Sequence, residues 1–130
     1  MKFILDTNIV TAYIKNQTPV FDRLSLHHDE NVYLTPPVNY EVIRGLRWKK
    51  AAAKLSQLQR LRMRLGWLQL IDEDWDKAAH LWSDAVSKGR RLSDVDLLLV
   101  ALALRLNAIL VSADVDFDVF SVTRENWLHS

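Results

Sequence analysis

Lys2-Phe3-Ile4-Leu5-Asp6-Thr7-Asn8 opens the chain with strand-like apolar residues running into a carboxylate, a hydroxyl and an amide. Directly after it, Ile9, Val10, Tyr13 and Ile14 recur at helical spacing. The stretch therefore reads as strand, sharp turn and helix. In open α/β sheets ligands bind just outside the carboxyl ends of the strands, which makes Asp6 the first residue to consider for chemistry. Asp and Thr are also ordinary helix caps, so Asp6 or Thr7 alone decides nothing. Further acids stand at Glu41, at Asp94 and Asp96, and at Asp114 and Asp116, each near the start of a helical segment or the end of a strand-like one.

Working outward, Pro19 to Leu26 is expected to form a short helix and Asn31–Thr35 a second strand. Pro36-Pro37 ends that strand and opens a helix through Val38, Val42, Ile43 and Leu46, because a first-turn proline lacks only an N–H that had no partner. Glu41 falls about one turn into it. Leu55, Leu58, Leu61 and Leu65 continue at near-helical intervals as one arm of a helical hairpin or a dimer face, and Gly66 breaks the run. A third strand is expected over Trp67–Ile71. The next helix carries Trp75, Ala78, Ala79, Trp82, Ala85 and Val86 on one side, with Gly89 as its stop.

Leu97 to Leu104 is apolar on every side, the mark of a buried helix. Ser93 is its expected cap, with Asp96 three residues on as in a capping box, so a cap-only role for Asp96 stands beside a chemical one. Asn107 ends the helix, Ala108–Val111 reads as a buried strand, and Ser112–Phe117 is the loop at its carboxyl end. A last strand is expected near Val119–Val122, then a polar tail. Strands alternating with helices imply a three-layer α/β domain with a mostly parallel sheet, and right-handed crossovers gather the ligand-bearing strand ends on one edge.

With 130 residues the chain is expected to be one domain, 1–130, able to bury a core without disulfides. It has no cysteine, which excludes a disulfide scaffold, a thiolate zinc site and a cysteine nucleophile. The early charge at Lys2 and Asp6 speaks against a signal peptide, and no apolar run has membrane-spanning length, so a soluble, cytoplasmic protein without membrane contact is expected. The net charge of +1 is uninformative as a total, but between Glu41 and Asp72 there is no acid and there are eight bases. Arg60, Arg62 and Arg64 in that stretch are candidate contacts to a polyanion, against the plainer reading of a solvated helix face.

Converging carboxylates repel one another and raise a pKa unless a cation relieves them. Hard divalent ions such as Mg²⁺ or Mn²⁺ do so through oxygen ligands while keeping several waters and meeting substrate phosphate. The natural reaction is metal-assisted attack of water on a phosphodiester, which needs no protein nucleophile. Competing chemistries lack their parts: the glycines at 45, 66 and 89 are isolated, so no phosphate-cradling loop exists, and the four histidines show no ligand spacing.

Phe3-Ile4-Leu5-Asp6-Thr7-Asn8, Asn39-Tyr40-Glu41-Val42 with Gly45-Leu46, Asp96-Leu97-Leu98-Leu99-Val100-Ala101 with Ala103-Leu104, and Leu110-Val111-Ser112-Ala113-Asp114-Val115-Asp116-Phe117 resemble, in order, the four signature segments of the PIN domain. More narrowly the chain resembles the VapC toxins of bacterial type II toxin–antitoxin modules. The resemblance implies an α/β/α fold with a five-stranded parallel sheet ordered 3-2-1-4-5, a Mg²⁺- or Mn²⁺-dependent endoribonuclease acting on RNA, a homodimer, and inhibition by a small antitoxin protein. It further implies Asp6, Glu41 and Asp96 as core acids and metal ligands, with Asp114 as the fourth and Asp116 competing for that place. Thr7 and Asn8 belong to the first segment, and Ser112 stands where threonine is common. Val100 departs from a common alanine, and Asp94 is an extra acid with no assigned role. Two other readings stand beside it: a non-catalytic PIN-like module that binds RNA or protein, and a DNA-directed nuclease, which usually carries insertions this length leaves no room for.

Overall fold

The computed structural model describes residues 1–129. Among these residues, five strands and six α-helices follow in the order β1 (Phe3–Leu5), α1 (Thr7–Ile14), α2 (Thr18–Ser25), β2 (Val32–Leu34), α3 (Pro36–Trp48), α4 (Ala52–Arg64), β3 (Gly66–Trp67), α5 (Asp72–Ser87), α6 (Asp94–Leu106), β4 (Ile109–Val111) and β5 (Thr123–Glu125), the helices in pairs between the first four strands. All pairings are parallel and the strand order is β3-β2-β1-β4-β5, as the resemblance implied. β1 is central and wholly buried, paired with β2 on one side and β4 on the other. The sheet order reverses at that strand, which places a crevice at its carboxyl end.

α6 is the buried central helix expected from its sequence, with every residue from Leu97 to Ala103 in the core. Each fully buried leucine there contributes about 2 kcal/mol of transfer free energy. Ser93 caps it: Ser93 Oγ accepts from the Asp96 amide at 3.1 Å, and Asp96 Oδ2 accepts from the Ser93 amide at 3.3 Å. At the other end Asn107 takes a left-handed conformation, φ 50°, which its short polar side chain tolerates. Because α6 precedes β4, its amino end lies at the carboxyl edge of the sheet, with the ends of β1 and β4.

Three elements differ from the sequence expectation. β3 covers Gly66–Trp67 and not Trp67–Ile71: β2 stops at Leu34 before the two prolines, so after one more bond, Leu68 N–H to the Leu34 carbonyl at 3.1 Å, the chain has no strand to follow. Gly66 opens the strand, since a Cβ there would lie 2.5 Å from the Tyr33 ring. The last strand is Thr123–Glu125 and not Val119–Val122; Val115–Val119 forms a 3₁₀ turn, and Phe120 and Val122 pack against the core instead of pairing. The tail is not simply polar, for Trp127 is fully buried between Phe3 and His27.

The expected single apolar side of α5 separates into two. Asp74, Ala78, Leu81 and Ala85 face the core, while Trp75, Trp82 and Val86 are about half exposed. The helix is turned by a polar anchor: buried Asp74 accepts from Arg105 Nε at 2.8 Å and Nη2 at 3.1 Å, and from the Ile71 amide at 2.9 Å. This bidentate pair fastens α5 to α6 and satisfies a helix-start N–H with the same carboxylate.

Candidate active site

β1 ends at Leu5 and delivers Asp6 into the crevice as the N-cap of α1, only 4% exposed. Asp6 Oδ1 accepts from the Thr7 amide at 2.8 Å, and Oδ2 accepts from Ser112 Oγ at 2.7 Å and Asn8 Nδ2 at 3.2 Å. Capping and chemistry are therefore not alternatives here, because one carboxylate does the capping while buried at the strand end. Ser112, just past β4, also accepts through Oγ from Asn8 Nδ2 at 3.2 Å and from the Asp114 amide at 3.0 Å. Asn8 Oδ1 in turn accepts from the Ala113 amide at 3.3 Å. The expected supporting residues Asn8 and Ser112 thus tie the ends of β1 and β4 together.

The acids interact through their charges. Burial lifts the Asp6 carboxyl from 3.8 to about 6 against the hydrogen bonds from Ser112 and Thr7, and the charges of Asp96 and Glu41 add to the rise. The Asp96 carboxyl is also raised, first by burial and then by the charges of Asp114 and Glu41, against its bonds with Ser93. Asp6, just past β1, thus feels Asp96 on α6 and Glu41 on α3, and Asp96 also feels Asp114 in the loop after β4. Glu41 also meets Arg44 at 3.7 Å, one turn along α3.

Asp116 is exposed, and it is not among the charges acting on Asp6 or Asp96. Asp114 Oδ1 caps the 3₁₀ turn by accepting from the Asp116 amide at 2.9 Å, and Asp118 makes the ion pair of that loop. Asp94 lines an open cleft of about 510 Å³ between α5 and α6 with Trp75, Trp82 and Leu97, on a different side of α6 from Asp96.

Arg60, Arg62 and Arg64 do not form one basic face. Residues two apart on a helix point about 200° apart. Arg62 covers the Trp67 ring at 3.9 Å, whereas Arg64 is held by Asp29 at 2.9 Å and by Tyr13 Oη at 3.4 Å. Arg60 borders the cleft that Tyr13 and Phe21 share with Arg64.

For a divalent cation, the chemistry of the donor set fits: Asp6 and Asp96 with raised pKa values, the charges of Glu41 and Asp114 acting on one or both of them, and the buried Thr7 hydroxyl with no protein partner. Among the described residues no group of three or more His, Cys, Asp or Glu side chains is arranged to hold one ion directly.

Sequence reasoning missed Arg124. On β5, its Nη1 donates to the Ser112 carbonyl at 2.9 Å, while Nε and Nη2 bind Asp118 at 2.8 and 3.0 Å. No motif signals it, because its role depends on the register of a strand whose sequence, Thr-Arg-Glu, is not strand-like.

The fold and the acid group define a doubly wound α/β protein with its polar site at the carboxyl edge of a parallel sheet. A family model described as the PIN domain matches residues 3–122, and the chain belongs to that family. Solved structures of the same fold include VapBC2 from Rickettsia felis bound to a DNA fragment from its promoter, 26% identical over 98% of this chain and 99% of that one, TM-score 0.88. DNA-bound VapBC from Salmonella typhimurium is 21% identical over 98% of both chains, TM-score 0.88. VapC20 from Mycobacterium tuberculosis, a Sarcin-Ricin loop cleaving toxin, is 12% identical over 94% and 97%, TM-score 0.78. No curated protein matches the chain.

Proposed function

We propose that the protein is a Mg²⁺- or Mn²⁺-dependent endoribonuclease, the toxin of a VapBC-type module, with Asp6, Glu41, Asp96 and Asp114 as its acids. What supports this reading is that Asp6 is buried at the crevice with its pKa raised and no lysine or arginine against it, with Asp96 and Glu41 near enough to add to the rise and Asp114 adding to that of Asp96. When bound, a divalent cation supplies a lowered pKa for attacking water and stabilisation of charge on the phosphoryl oxygens. The chain's own part is to orient: Ser112, Asn8 and the Thr7 amide fix the Asp6 carboxylate, the capping box fixes Asp96, and the Ser112 hydroxyl holds the amide of Asp114. The loss of hydrogen-bond freedom is prearranged in the fold, so little reorganisation is left for the reaction.

The VapBC complexes among the structural neighbours support a small antitoxin as partner. A second copy is the other partner we infer. Trp75, Ala79, Trp82 and Val86 follow the four-three-four spacing of a helix-packing seam, all exposed, and the first three border the open cleft between α5 and α6. Trp82→Glu would place a charge in that seam and is expected to turn a dimer into a monomer in sedimentation; an unchanged mass would remove the seam from the interface. An RNA strand following α4 would meet Arg60 and Arg64 together but not Arg62, so the three arginines serve such a strand only in part.

The test is cleavage of end-labelled RNA, single-stranded DNA and duplex DNA with Mn²⁺ and with chelator. Cutting of RNA alone, only with Mn²⁺, is expected. RNA that is bound and not cut would favour the binding-module reading, and cutting of DNA alone would redirect the substrate.

A further inference from the structure

We propose that Arg124 is a positioning residue of this site, holding the Ser112–Asp114 segment so that Ser112 and Asp114 keep their places relative to Asp6. This rests on the nuclease reading above and adds a residue from β5, which none of the signature segments includes.

The argument starts from Ser112, whose groups all have partners. Its N–H donates to the Glu125 carbonyl at 2.9 Å, its carbonyl accepts from Arg124 at 2.9 Å, and its hydroxyl joins Asp6, Asn8 and the Asp114 amide. Two of these five contacts come from β5, one from the backbone of Glu125 and one from the Arg124 side chain. Without the guanidinium, the Ser112–Ala113 peptide plane keeps the 3.3 Å bond from the Ala113 N–H to Asn8 Oδ1, and the next amide keeps its bond to the serine hydroxyl, but the plane loses its contact on the carbonyl side, and its rotation would swing Asp114 away. Arg124 is suited to the task because its fork binds Asp118 with two nitrogens and leaves Nη1 aimed at the carbonyl. Its side chain is 16% exposed, which keeps competing water away better than at an open surface pair.

β5 can bear this load because it is pinned from below. Trp127, two residues beyond Glu125, is fully buried, and its Nε1 donates to Glu125 Oε1 at 3.0 Å. The route from core to site thus runs from Trp127 through β5 and Arg124 to Ser112, and from there to Asp6 and Asp114. Outer contacts that orient metal-binding carboxylates typically change affinity or activity by about 10- to 100-fold when lost.

The experiment compares wild type with Arg124→Ala, Arg124→Lys and Asp118→Ala. Asp118→Ala removes the ion pair but leaves the Arg124 contact to the Ser112 carbonyl, so it separates positioning from loop stability. Two readouts are taken: amide hydrogen exchange over residues 112–116, which needs no activity, and the Mn²⁺ concentration that half-saturates binding by calorimetry. Arg124→Ala is expected to speed exchange in that segment while leaving α6 and β1 protected, and to raise the Mn²⁺ requirement about tenfold or more. Arg124→Lys, with one donor able to reach the carbonyl, should recover part of both, and Asp118→Ala, which frees the fork but keeps the donor to the carbonyl, should fall between wild type and Arg124→Ala. Unchanged local exchange in Arg124→Ala, or faster exchange with an unchanged Mn²⁺ requirement, overturns the proposal. A wild-type protein that cuts no RNA would remove the nuclease reading, and the exchange comparison would still decide whether Arg124 holds the segment.

Discussion

Asp6→Asn is expected to abolish RNA cleavage and, in the absence of metal, to make the protein more stable above about pH 6. Asp6 titrates in the fold near 6, against 3.8 when free, so the folded chain holds this proton more tightly than the unfolded chain does. The contribution to stability is therefore complete below about pH 4 and is lost as pH rises through 6. A shift of that size corresponds to about 2–3 kcal/mol by neutral pH. Asparagine cannot ionise and still accepts from the Thr7 amide through its oxygen. Its amino group meets Asn8 as donor against donor, which offsets part of the gain. Thermal unfolding in chelator from pH 4.5 to 8 should fall with pH in wild type and stay flatter in Asp6→Asn. Parallel curves would show that the burial of Asp6 does not govern this dependence.

Trp127→Ala carries the largest expected loss of stability, about 3–5 kcal/mol, the usual range for deleting a fully buried aromatic side chain. The ring stands 5.7 Å from Phe3 and stacks on His27 at 5.3 Å and 7°, so its removal leaves a void beneath β1 and unpins β5. Trp48→Ala is the control, since that ring is 86% exposed and its loss should cost no more than about 0.5 kcal/mol. Denaturant midpoints of the two variants check the pair: a Trp127→Ala midpoint within error of Trp48→Ala would mean that the carboxyl-terminal segment contributes little to the core.

The contrast between these tryptophans shows what the sequence could and could not reveal. Reading Phe3–Asn8 and Ser93–Leu104 worked because each carries its own local signal: an apolar run ending in polar residues, and a capping box before an all-apolar helix. The positions of the candidate acids follow from the same signals, as they lie where such segments meet. Trp127 and Arg124 carry no local signal. Their burial and bonding follow from the pairing of β5 with β4, a register that three residues of Thr-Arg-Glu do not announce. On α5 the six small and aromatic residues read as one face, and no local pattern signals that Asp74, paired with Arg105 from α6, takes a core position. The shortness of β3 likewise depends on β2 ending at Leu34, a property of its neighbour and not of Trp67–Ile71.

The most direct test of the site is a calorimetric titration of Mn²⁺ into wild type, Asp6→Asn, Glu41→Gln, Asp96→Asn, Asp114→Asn and Asp116→Asn. If four acids on separate elements share one cation, the first four substitutions each weaken binding, Asp114→Asn less than Asp6→Asn if its carboxylate would reach the ion through a retained water, and Asp116→Asn binds as wild type does. Binding lost in Asp116→Asn and kept in Asp114→Asn would reverse the fourth assignment, and a wild-type protein that binds no Mn²⁺ would contradict the account.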